Sequence, residues 1–164
     1  MALADTGTLL VITPLSGSSA AQLAPFSARN LTQTLSQISG NSMSGGNVLG
    51  TNIVETVDGR TIDLTPSWMR KYQSTITCTD FNTPVLDDAF RGLEVEVQCV
   101  YELSYWSGGA PTRPSVSGSE RVNGNVTYYR PVLQMMVIDI RGSKQEWPDT
   151  YNWQIDLREL RVPS

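Results

Sequence analysis

Between residues 93 and 105 every odd position is apolar: Leu93, Val95, Val97, Cys99, Tyr101, Leu103 and Tyr105. The even positions between them are polar, with Val100 the single exception. A period of two sends successive side chains to opposite sides of an extended chain, so the stretch reads as a half-buried antiparallel strand with one wet face. A helix would scatter the same residues around its circumference. The run is also long for its setting. Its thirteen residues would span about 44 Å at ~3.4 Å each, where a usual strand has about 5–6. Either a bulge interrupts it, or it projects beyond the core and meets another subunit.

Period-two segments recur downstream of residue 53. Val54–Val57 and Arg60–Leu64 flank Asp58-Gly59, which predicts a hairpin with a type I′ turn and positive φ at both central residues. Pro66 closes the hairpin, Ser67–Tyr72 reads as a single helical turn, and Gln73–Thr79 as a β-branched strand. Val126–Tyr129 continues past Pro131 into Val132–Arg141, so the proline is expected at an edge or a bulge. Asn123-Gly124 is a tight-turn signal. Tyr151, Trp153, Ile155 and Leu157 alternate, after which Leu160 and Val162 fall in the opposite phase. That slip predicts a bulge at Arg158-Glu159. Trp106–Val122 and Gly142–Thr150 read as loops, the first long for a hairpin and expected to be exposed.

The N-terminal third is different. Residues 15–52 carry no charged side chain except Arg29, and Ser39–Asn47 is a flexible loop by composition. Thr8–Thr13 reads as a short strand. Leu31, Leu35 and Ile38 have helical spacing, but the Thr/Ser alternation between them favours a strand over Arg29–Ile38. The expected architecture is all-β: an antiparallel β-sandwich or small open barrel over residues 53–164. Residues 1–52 would precede it as a flexible N-terminal arm and polar loop segment.

Composition then removes whole classes of chemistry. There is no histidine, which excludes Ser-His-Asp and Cys-His catalysis and histidine-ligated zinc. Sixteen acidic against twelve basic residues give a net charge of −4, with no basic footprint for nucleic acid. No phosphate-binding glycine loop is present, and Gly40–Ser44 lacks the closing glycine of a nucleophile elbow. Asp87 and Asp88 are adjacent and would point apart on a strand, so the expected role is a turn. Glu94, Glu96 and Glu102 lie on the wet face of the long strand, as a solvated row rather than a glycosidase-like carboxylate pair. Cys78 and Cys99 are too few for a disulfide framework and are expected to be buried hydrophobes. No cofactor and no metal site is expected. The apolar run Leu9–Ile12 is far too short to span a membrane, and no secretion signal is read, so synthesis in the cytoplasm is the expectation.

Function is thus expected from shape and surface. Aromatics beside loops (Tyr105-Trp106, Tyr128-Tyr129, Trp147) are placed to pack locally, to fill a partner's pocket or to stack on a sugar. The strand segments read together resemble small structural proteins encoded in tail and neck gene clusters of tailed bacteriophages. The stretches that carry this are Lys71–Asp80, Val95–Tyr105, Gly118–Arg121, Tyr129-Arg130-Pro131 with Leu133 and Met135, and Trp153–Leu157. The resemblance implies a non-enzymatic virion subunit, assembled in the host bacterial cytoplasm into rings or lattices. Its partners would be copies of itself and other virion proteins, without nucleic acid, membrane or small-molecule substrate. The expected subunit-interface residues are Leu9, Leu10, Val11 and Ile12, as an arm adding a strand to a neighbour, with Trp106, Arg113, Tyr128 and Trp147. A capsid decoration protein and a carbohydrate-binding β-sandwich are the alternatives.

Overall fold

The structure, a computed structural model, describes residues 9–15, 30–39, 53–64, 66, 70–80, 89–147 and 149–160. The chain is all-β and its sheets are antiparallel; among the described residues there is no helix. Eleven strands follow in order: β1 (Val11–Pro14), β2 (Thr32–Ser39), β3 (Ile53–Glu55), β4 (Thr61–Asp63), β5 (Arg70–Asp80), β6 (Glu94–Gln98), β7 (Leu103–Trp106), β8 (Arg121–Asn123), β9 (Val126–Tyr129), β10 (Val132–Gln145) and β11 (Thr150–Glu159). Six form the main sheet in the order β1-β6-β10-β11-β5-β2, while β7-β9-β8 and β3-β4 are small sheets.

One face of the main sheet makes the core. Register places Trp153 opposite Cys78, Ile155 opposite Ile76, Leu133 opposite Val97 and Met135 opposite Val95, all of them buried. Leu10 and Ile12 complete the cluster from β1, and Leu31 and Leu35 lean on it from the other edge. The sheet must curl for these positions to share one interior, and it does. Gln33 on β2 lies four strands from β6 in the sheet order, yet its Oε1 accepts the backbone N–H groups of Val100 at 2.7 Å and Tyr101 at 3.2 Å, just beyond β6. The result is an open barrel, one of the two expected architectures.

The long alternating run is broken, as one of its two expected outcomes required. Odd positions through Cys99 are buried, but the chain turns at Cys99–Glu102 and leaves Tyr101 46% exposed. Its partner strand turns at the same level through Arg130-Pro131. Gln98 pairs with Val132 on one side of the corner and Leu103 with Tyr129 on the other, so four residues face two. The surplus bends both strands out of the main sheet into the small one. Cys99 N–H donates to Pro131 O at 3.0 Å across the bend, and the side-chain Oε1 of Gln33 accepts from the two N–H groups the ladder has lost. The longest strand is β10, not this one.

Three local expectations are corrected. Val57-Asp58-Gly59 closes the first hairpin with Thr56 paired to Arg60 and positive φ only at Gly59 (76°), a type I turn plus a glycine bulge instead of type I′. Residues 70–72 are extended and open β5 rather than ending a helical turn; Ser67–Met69 lie outside the described residues. No bulge occurs at Arg158-Glu159, since Glu159 pairs with Met135 in phase with Leu157. The irregularity is on the facing strand, where Ile138 is extra between Val137 and Asp139. It lets Ile138 and Asp139 both face outward and returns Ile140 to the core side. A tight turn also forms near the expected Asn123-Gly124, but one residue later: Asn123 pairs with Val126 and the turn residues are Gly124-Asn125, with φ of 61° at the glycine. Residues 32–39 are the expected strand.

Candidate interaction surfaces

The N-terminal strand is not an arm reaching another subunit. Val11 pairs with Gln98 and Ile12 with Val97 of the same chain, while Leu10 and Ile12 are each 1% exposed. The alternation that made Leu9–Ile12 look able to join a neighbour's sheet fits the chain's own edge beside β6. Leu9 and Val11 take the other side, Leu9 exposed and Val11 half-buried, and the Leu9 carbonyl accepts from Arg130 Nη1 at 3.0 Å. The division at residue 52 fails for the same reason: β1 and β2 are the two edges of the main sheet. Residues 1–8, 16–29 and 40–52 lie outside the described residues, as do Asp87 and Asp88.

Arg113, expected at an interface, is buried within the chain. The β7–β8 loop folds back so that Ser115 bridges to Pro131, and this carries Arg113 over the end of the barrel. Its Nε donates to Glu159 Oε1 at 2.6 Å and its Nη2 to Glu159 Oε2 at 3.1 Å, a two-point clamp. Nη2 also reaches Arg70 O at 3.1 Å, and the guanidinium lies 5.2 Å from the Tyr72 ring centre. Glu159 Oε2 accepts the Tyr72 N–H as well, at 2.8 Å. Both side chains are sealed from water, at 5% and 1% exposure. The long loop is therefore exposed at its ends but anchored in its middle.

Trp106 and Tyr128 share the outer face of β7-β9-β8 with Ser104 and Arg121, because Ser104 and Arg121 both pair with Tyr128. The Arg121 guanidinium stacks 4.4 Å from the Tyr128 ring centre and binds Glu102 at 2.7 Å. That hydrogen bond holds the Glu102 carboxyl below the usual range. Glu102 thus sits at the corner just before β7 with its own cation, apart from Glu94 and Glu96 on β6. The opposite face is the packed one, with Tyr105 and Tyr129 edge to face at 5.6 Å. Trp106 is 70% exposed.

Trp147 stands at the tip of the β10–β11 hairpin and is 92% exposed. Lys144 stiffens that tip: its ammonium contacts Asp149 Oδ1 at 3.0 Å and lies over the Tyr151 ring. Asp149 adopts the left-handed backbone the reversal needs, φ 63°. A shallow open trough of about 360 Å³ lies along Thr77, Thr79, Asn152 and Gln154. Its polar groups largely bind one another or a neighbour, with Thr79 to Asn152 at 2.6 Å and Gln154 to Asp156 at 3.0 Å.

Cys78 and Cys99 are buried thiols, as expected, and burial pushes the Cys99 thiol up to about 12. Among the described residues no three His, Cys, Asp or Glu side chains form a group able to hold a metal ion. No helix among them is long and apolar enough to cross a membrane. Sequence reasoning missed Gln33 and Glu159, whose roles depend on partners 67 and 46 residues away. No family model matches the chain, and neither a curated protein nor a solved structure matches it.

Proposed function

We propose that this chain is a non-enzymatic structural subunit of a tailed-phage virion, built into its tail or neck by contacts with copies of itself and with other virion proteins. The observation that carries the reading is the pair of tryptophans on hairpin strands and tips, 70% and 92% exposed at Trp106 and Trp147. Tryptophan is the side chain most enriched at energetic centres of protein interfaces, and its burial there is worth more than that of any aliphatic residue. The ion pairs support the same reading. Arg113–Glu159 is buried, and Arg121–Glu102 and Lys144–Asp149 brace the surfaces that display the tryptophans. The sequence resemblance supplies the virion context.

The test is co-sedimentation of the purified chain with phage tails and with heads, beside electron microscopy of the chain alone. Rings or tail-specific binding, lost in Trp147→Ala at unchanged thermal stability, is the expected result. Binding only to heads would identify a decoration protein. A monomer that binds neither particle but is retained on an immobilised glycan would replace the reading with a carbohydrate-binding module.

A further inference from the structure

A curled sheet that does not close leaves two edges, and the two here are differently built. β1 is four residues long and ends in Pro14, which cannot donate to an added strand. β2 is twice that length, Thr-Gln-Thr-Leu-Ser-Gln-Ile-Ser, with no proline and no charged side chain. Edge strands of soluble proteins are normally blunted by lysine, proline, a bulge or shortness. β2 has none of these. It pairs with β5 without a register shift, and among the described residues its other side has no strand.

We propose that β2 is a self-association edge, and that its occupant is β2 of a second copy, antiparallel about a two-fold axis at Leu35. In an antiparallel pair, residues directly opposite one another share a face, and a two-fold axis fixes which ones meet. With Leu35 opposite its own copy, Gln33 meets Gln37 on the core side and Thr34 meets Ser36 on the outer side. The central meetings are like with like, apolar on apolar, carboxamide on carboxamide and hydroxyl on hydroxyl, and further out Thr32 falls opposite Ile38. No charge is brought against another.

The strand is also held ready for this. Gln33 ties it across the barrel to Val100 and Tyr101, and to Ser74 Oγ at 3.0 Å. Thr34 Oγ1 donates to Thr75 O at 3.3 Å on the outer side. Thr34, Ser36 and Gln37 remain exposed, while Leu35 is half-buried and has surface left for a second copy to cover. Joining two such edges makes one continuous sheet across the dimer. The contact specifies one part of the assembly reading above and rests on it only for its biological setting.

Sedimentation equilibrium of the full chain over a dilution series gives the first result, a mass rising to twice that of the 18.0 kDa chain. Amides of β2 should exchange more slowly as the dimer fills. The variants Thr34→Lys/Ser36→Lys and Thr34→Glu/Ser36→Glu put like charges opposite one another in this register. Each alone should remain monomeric with an unchanged thermal transition, and an equal mixture should recover the doubled mass. A doubled mass that survives the lysine pair, or no recovery on mixing, would overturn the contact while leaving the assembly reading in place. A wild-type chain that stays monomeric throughout, with β2 exchange independent of concentration, overturns it as well; binding to tails in that state would still uphold the broader reading. Should the variants unfold, the exchange measurement on the wild type decides alone.

Discussion

Replacing Arg113 by methionine removes one half of an ion pair whose two side chains are 5% and 1% exposed. Coulomb attraction between such groups is strong, but so is the cost of taking both from water, and the two terms nearly cancel while the pair is intact. Removing one partner destroys the cancellation. Glu159 would stay buried with the Tyr72 N–H as its remaining described hydrogen-bond donor. Breaking a buried pair in this way costs about 3–5 kcal/mol. For chains of this size about 2–4 °C accompanies each kcal/mol, so the melting temperature should fall by roughly 6–20 °C. The double variant Arg113→Met/Glu159→Met leaves no unpaired charge and should recover most of the loss, because a matched apolar replacement of a buried pair is often neutral. Urea unfolding of the wild type, both single variants and the double variant forms a closed cycle that isolates the pair. A single-variant loss below about 1 kcal/mol, or effects that simply add, would refute the claim that the two groups are sealed together.

Gln33→Leu should cost about 1–3 kcal/mol in the same assay, since it strands the Val100 and Tyr101 amides at the corner; a neutral result would mean water serves them equally well. Cys99, its thiol pushed up to about 12, should have about one molecule in ten thousand ionised at pH 8 and should label only after unfolding. Rapid labelling of the native chain would contradict that burial. Glu102 is held below its ordinary value of 4.5, so the Arg121 bond contributes above that pH and is lost as acid protonates the carboxylate. Carbon-detected NMR should show Glu102 titrating low and returning toward 4.5 in Arg121→Gln; an unchanged midpoint would dismiss the pair.

Period two was enough to place most of the sheet in advance, because burial on one face leaves a regular signature. It gave the core positions Val95, Val97 and Cys99, and it failed at Tyr101, where extra residues at a corner change the direction of the chain. Glu159 shows the complementary failure. A carboxylate at a core position reads as a slip of phase, and only the arrival of Arg113 from a distant loop makes it a core residue. The same blindness affected Arg113, whose loop composition suggests solvent. At the N-terminus, the pattern correctly marked Ile12 as a strand residue, with Leu10 buried just before the strand begins, but a pattern cannot tell whose sheet a strand will join. The exposed Trp147 was legible because the turn residues around it are local.

The corner also has a mechanical meaning. β6 runs into β7 and β9 into β10 with only a short bend between them, so a load applied at Trp106 passes along two covalent strands into the barrel. Inside the barrel those strands lie between β1 and β11, and their hydrogen bonds run across the direction of pull. Such bonds share a shearing force and yield together, whereas a strand peeled from its end loses them one at a time. The small sheet is therefore a handle fixed to the strongest direction of the barrel, and tension at its outer face is met by the whole ladder at once.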